Sequence, residues 1–147
     1  MADQSTRRAA REQAFALLFE LSFHPDASIE DLVACAVDTG EEPLAPDPFA
    51  LRLAGAAAAN FARLDEEITK RLKKWKLNRI SRVSHALLRL ALCEMLFFDD
   101  IPMGASINEA VELAKRYGDE DAPRFINGVL GAVARQEKTD APMDPGD

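Results

Sequence analysis

Three clusters in this chain combine residue types that grip phosphates and stack on bases. Arg7, Arg8 and Arg11 open the first, with Phe15 and Phe19 one to three turns further on. On a helix, Arg7 and Arg11 fall one turn apart on one face, and the two phenylalanines follow the side that carries Arg8. Arginine forks hold phosphates and stack on bases, and a nearby aromatic adds a stacking surface. The same residues also suit a solvated helix end whose phenylalanines widen an apolar stripe, and composition alone favours that blander reading. The second cluster is the basic run from Lys70 to Arg82, interrupted by Trp75. It could serve as a stacking platform. Cations at a helix C-terminus also favour the helix dipole, and a tryptophan there suits the plug of a junction. The third cluster is Arg116, Arg124 and Phe125, on either side of a turn. Backbone N–H groups, cations and an aromatic in one helical turn could bind phosphate and stack a base. The competing reading is that Phe125 packs inward, as most helical phenylalanines do.

Covalent chemistry has far less support. No Ser-His-Asp or Cys-His pairing is suggested, and there is no Gly-rich phosphate loop. Cys35 and Cys93 are too few for a disulfide framework and lack metal-ligand spacing. With only His24 and His85 available, a zinc site is not expected, and no cofactor is implied. His85 reads as a helix histidine rather than a base.

The elements that must position these clusters are helical throughout. Apolar residues recur at a spacing of 3.6 and no strand pattern appears. The first helix is expected over about 6–23, with Ala10, Ala14, Leu17, Leu18 and Leu21 as its core stripe. The second starts at a Ser28 cap and runs to about Val37. A proline-rich acidic loop leads to a third helix, from Pro48 through Phe61, whose alanines permit close approach. Asp65 begins a fourth, ending near Trp75. Ser81 caps a fifth, to about Phe98, which is apolar almost all round and should be the central buried element. Ser106 and Glu109 have capping-box spacing, so the sixth helix should start there. Gly118 can end it in the left-handed conformation, and Pro123 suits the first turn of a seventh. Gly128 in mid-helix suggests close helix packing. From Gln136 on, Pro, Asp and Gly predict a disordered acidic tail over 136–147.

The stretch INEAVELAKRYGDEDAPRFINGVL, Ile107 to Leu130, resembles the closing signature of the NusB family of bacterial transcription antitermination factors. The early RRAAREQA at Arg7, the WKLNRI at Trp75 and the LRLALCEM at Leu88, followed by Asp100-Ile-Pro102, agree in order and spacing. The resemblance covers roughly residues 5 to 135. It implies an all-α fold of about seven helices in two packed subdomains, near 1–62 and 63–135. It implies a factor that acts with the ribosomal protein NusE on boxA-type single-stranded RNA. The complex would join the transcription elongation complex and suppress termination, notably in ribosomal RNA operons. The family's RNA-binding positions fall here on Arg7, Arg8, Arg11, Phe19, Arg116, Arg124 and Phe125. Asp121 matches an acid near the RNA, whose charge should weaken phosphate binding. Ser84 replaces a usual acidic residue on the surface used for the protein partner. Ala122 stands where a capping serine is frequent, so Asp121 is a candidate to take over that cap. Gly131 replaces a usual aspartate.

Charge is consistent with a local rather than a global nucleic-acid surface. The net charge is −7, yet residues 70 to 93 carry eight Lys or Arg and no acid. Acidic neighbours should keep unassisted RNA affinity modest. No run of eighteen apolar residues is present, so no membrane span is expected, and the N-terminus lacks a secretory apolar region. Both point to the cytoplasm. The rival class is a helical protein–protein adaptor or homodimer without an RNA role, supported by the negative charge.

Overall fold

The computed structural model describes residues 4–38, 47–72 and 77–140. Among them are seven α-helices and no strand: α1 (Gln4–Leu21), α2 (Ile29–Asp38), α3 (Pro48–Ala59), α4 (Phe61–Thr69), α5 (Arg82–Phe97), α6 (Met103–Tyr117) and α7 (Ala122–Asp140). A single 3-10 turn, Leu77–Arg79, precedes α5. The all-α expectation holds.

Several helix starts follow from local chemistry. The Ser81 hydroxyl accepts from the Ser84 N–H at 3.0 Å and opens α5. Ser28 and Asp31 cap α2 reciprocally: each backbone N–H donates to the other's side chain at 3.0 Å. Asp47 accepts from the Phe49 N–H at 2.8 Å, and Pro48 occupies the first turn of α3, where its missing N–H costs nothing.

Helix α5 is the axis of the fold. Leu87, Leu88, Leu90, Leu92 and Cys93 on it are fully or almost fully buried, and it packs against α1, α3, α4, α6 and α7. Helix α1 lies against α2, α3 and α5, while α6 pairs with α7. Ala50, Ala54 and Ala57 let α3 approach its neighbours closely. Burial pushes the Cys93 thiol up to about 12, with the Glu94 carboxylate adding to the effect, so this cysteine is an inert core residue.

Five local expectations are corrected. Ser106 does not start α6; the helix begins at Met103 behind extended Pro102. Ser106 is buried inside it and donates its hydroxyl to Glu94 at 3.0 Å, and Glu109 is engaged by Arg8, so tertiary partners have taken both halves of the apparent capping box. Gly118 is not left-handed: its φ is −91° and ψ 176°. A Cβ there would lie 2.6 Å from the Ala122 Cβ and 2.9 Å from the Ala114 carbonyl oxygen, so the residue is needed for close approach instead. Gly128 is exposed, and a Cβ on it would meet nothing within 4 Å, so it is not a packing glycine. Helix α4 starts at Phe61 rather than Asp65, after a one-residue break where the Asn60 side chain donates back to the Ala56 carbonyl at 2.7 Å. Helix α7 runs to Asp140, past the expected tail boundary at Gln136. Trp75, the lysines at 73, 74 and 76, the 39–46 loop and residues 141–147 lie outside the described residues, as does the side chain of Cys35.

Two ionic clamps fix the helices. Arg11 on α1 makes two hydrogen bonds to Glu94 on α5, at 2.8 and 2.9 Å, and both residues are buried. The Ser106 bond brings α6 into the same cluster. On the other side of α5, Arg89 grips Asp65 of α4 with bonds of 2.9 and 2.7 Å, and the His85 ring lies 2.7 Å from the same carboxylate. Burial alone would raise the Asp65 carboxyl, but the bonds from Arg89 and His85 outweigh it and hold the group at about 2.

These clamps yield two predictions. Glu94→Ala leaves a buried guanidinium uncompensated and should cost about 3–5 kcal/mol in denaturant unfolding. The Arg11→Met, Glu94→Leu double variant should recover most of that; an equal loss in both would show that the charge is not the cause. For Asp65, the folded value lies below the unfolded value of about 3.9. Its contribution is therefore complete above about pH 4 and lost as pH falls through about 2. Stability curves of wild type and Asp65→Asn should converge over that window; parallel curves would contradict the clamp.

Candidate nucleic-acid interface

The three arginines of α1 point to three different partners. Arg7 places its guanidinium carbon 4.1 Å from the centroid of Phe49 on α3. Arg8 turns toward α6 and holds Glu109 with two bonds of 2.9 Å. Arg11 is withdrawn into the core with Glu94 and is not available at the surface, which corrects its assignment as an RNA contact. The cause is helical phase: Arg11, Ala14 and Leu18 lie at i, i+3 and i+7 on the buried stripe.

An aromatic row follows along α1. Phe15 is buried, on the apolar stripe of α1. Phe19 is half-buried, with its ring 5.9 Å from Phe15 and 5.1 Å, edge-on, from Phe23. Phe23 is 49% exposed and lies 4.4 Å from the Arg82 guanidinium. Tyr117, at the end of α6, is 44% exposed and stands 5.3 Å from Phe15. Sequence reasoning missed Phe23 and Tyr117 as surface aromatics. The spacing of Phe15, Phe19 and Phe23 at i, i+4 and i+8 was the available signal for the first; Tyr117 had none beyond its place at a helix end.

Glu12 ties this row to α6. It accepts from Arg116 at 3.0 Å and from the Tyr117 hydroxyl. Arg8 and Arg116 therefore both face carboxylates in the free chain. In the turn that follows, the Asp119 side chain accepts from the Asp121 N–H at 3.0 Å. Asp121 is exposed and offers its carbonyl, not its carboxylate, to the Phe125 N–H at 3.0 Å, so its side chain does not take over the cap. Arg124 is exposed and has no ion-pair partner among the described residues. Phe125 is half-buried, packed against the core on one side.

Ser84 and the basic run sit as follows. Ser84 is 5% exposed, so it cannot present its side chain to a protein partner. It sits in the first turn of α5, where its N–H serves the Ser81 cap. In the basic run, Lys70 and Arg71 pair with Glu67 at 3.2 and 2.6 Å, and Arg82 donates to the Ser22 carbonyl at 2.8 Å. These residues secure α4 and the end of α1.

The NusB family model matches residues 8–135, from the second arginine of α1 to the last turns of α7. The chain belongs to the NusB family. It is 44% identical over 127 residues to the transcription antitermination protein NusB of Bacillus subtilis, covering 86% of this chain and 93% of that protein. The NusB of Carboxydothermus hydrogenoformans is also 44% identical, over 132 residues, with 87% and 92% covered. Among solved structures, T. maritima NusB superposes with a TM-score of 0.78 at 37% identity, covering 88% of this chain and 91% of that one. A chain from the crystal structure of antitermination factors NusB and NusE in complex with dsRNA gives a TM-score of 0.77 at 26% identity, covering 91% and 99%. The NusB-family stretch thus contains every cluster described above except Arg7.

The Glu12 cluster can be read directly in solution. The hydrogen bond to Glu12 holds the Tyr117 hydroxyl above its ordinary range, because ionisation would forfeit the bond and set two negative charges together. Tyr117 is the one tyrosine in the chain, so tyrosinate absorbance reports it alone. Glu12→Gln should shift that titration downward. An unchanged curve would mean that the contact does not persist in solution.

Proposed function

We propose that this chain is an RNA-binding transcription antitermination factor that works by binding and carries out no chemical step. In this reading it pairs with the ribosomal protein NusE on a boxA-type single-stranded element in the cytoplasm. The assembly joins the elongating polymerase and suppresses termination, notably in ribosomal RNA operons. The observation that carries the reading is the likeness over 91% of the chain to a chain from the NusB, NusE and dsRNA crystal structure. The names of the Bacillus subtilis and Carboxydothermus hydrogenoformans relatives agree with it.

The residues proposed to meet RNA are Arg7, Arg8, Phe19, Arg116, Arg124 and Phe125, with Asp121 opposing phosphate. Arg8 and Arg116 must exchange Glu109 and Glu12 for phosphate or remain shared with them. That competition, added to a net charge of −7, favours weak binding by the chain alone. NusE would add base contacts and positive charge.

The test is RNA affinity with and without NusE, in wild type and in Phe125→Ala. Affinity should rise when NusE is present; equal affinity would remove the cooperative model. No RNA binding in either condition, with NusE binding intact, would favour the adaptor reading. Phe125→Ala should lower RNA affinity roughly ten-fold, equivalent to about 1.4 kcal/mol. Because the ring is half-buried, a modest fall in melting temperature accompanies this. A large fall with RNA affinity preserved in the folded fraction would place the ring wholly in the core.

A further inference from the structure

We propose that bound RNA continues past Arg7 onto a second contact surface, built by α3, the start of α4 and the C-terminal end of α5, where arginines seated over phenylalanine rings take flanking nucleotides. This rests on the RNA-binding reading above. Arg7 and Arg52 both stand over Phe49, at 4.1 and 5.9 Å from its centroid. Arg52 also stands 4.8 Å from the centroid of Phe98, and the two rings meet edge-on at 5.8 Å. Beside them, Arg63 lies 5.5 Å from Phe97, a ring 38% exposed.

What separates these arginines from those held in ion pairs is their charge balance. Arg8, Arg11, Arg71, Arg89 and Arg116 each hold a carboxylate. Arg7, Arg52 and Arg63 hold none among the described residues; their partners are rings. A guanidinium over an aromatic face keeps its full charge for a phosphate and is already oriented, so less side-chain freedom is lost on binding. It also offers a plane on which an unstacked base can rest. Arg7 belongs at once to the proposed RNA face and to this surface, so the second is continuous with the first. Asp99 and Asp100, exposed just after Phe98, oppose phosphate here, which favours stacking with few phosphate contacts over a wide electrostatic track. An arginine above a phenylalanine also shields apolar core edges from water. That role needs the aliphatic stem but not the charge, and the two are separable by Arg52→Met.

The experiment measures affinity, with NusE present, for a single-stranded boxA-type oligonucleotide and for versions extended by uridines at either end. Wild type should gain affinity when one particular end is extended. Arg52→Met should bind the short RNA as wild type does, lose about ten-fold on the extended one, and show a salt slope lower by about 0.7 per lost phosphate contact. Arg52→Lys, which keeps a charge but no plane, should fall between them and serves in its place if the Met variant is unstable. Equal affinity of Arg52→Met and wild type at every length, with Phe125→Ala still impaired, would overturn this surface and leave the primary site standing. Loss of effect in Phe125→Ala as well would overturn the primary reading itself. Weakened NusE binding by Arg52→Met, with RNA affinity unchanged, would make the surface a protein contact and also overturn the proposal.

Discussion

The orientation of α1 depends on one buried ion pair. Arg11 and Glu94 are close to fully buried, and the carboxylate also takes the Ser106 hydroxyl. Three helices thus meet at a single charge cluster in an otherwise apolar core. Such a pair gives little net stability over a hydrophobic replacement, yet losing one partner is costly because the other is left charged and dry. Its consequence here is angular. With Arg11 held inward, α1 has one rotation available, and that rotation sends Arg8 toward Glu109 on α6 and Arg7 toward Phe49 on α3. The surface chemistry at this end of the molecule is therefore set from inside.

Glu12 extends the same constraint outward. It follows Arg11 directly, and from that position it reaches both Arg116 and Tyr117 at the far end of α6. Successive residues of α1 thus bind α5 and α6 through charge, one pair buried and one exposed. The exposed pairs contribute little to stability, since solvent screens them. They matter for what the surface offers a ligand. Arg8 on α1 and Arg116 on α6 are already balanced, so on the proposed reading recognition there leans on planar groups and on released ion pairs rather than on unopposed positive charge.

The parts of this architecture legible in the sequence are those decided locally. Ser81 and Ser28 announce their helices because a cap is a contact with residues two or three positions away. The buried character of α5 follows from its nearly uniform apolar face. Ser106 carried the same local pattern and misled, because Glu94 and Arg8 compete for the two side chains from other helices. Gly118 misled in another way: its lack of a side chain serves the approach of Ala122, a distance between chain segments that no turn signal encodes. Arg11 was grouped with Arg7 and Arg8 by composition. Periodicity placed it with Ala14 and Leu18, and in a helix that enters a core, phase outranks residue type.

The same rule bears on the third cluster. Phe125 and Arg124 are adjacent in sequence, yet about 100° of helix separates them, so one packs partly against the core while the other stands in solvent. A ring anchored on one side loses little freedom when its open side is covered, whereas a solvated arginine must be ordered as well as desolvated. Asp121 lies one turn before Phe125, with its carbonyl committed to that residue's N–H and its carboxylate exposed. The backbone of this turn is thus held by hydrogen bonds that leave the Asp121 charge exposed beside the half-buried Phe125 ring. On the proposed RNA-binding reading, this place repels phosphate and favours a base plane. An interface of that kind selects for how a single strand presents its bases there, more than for how much negative charge it carries.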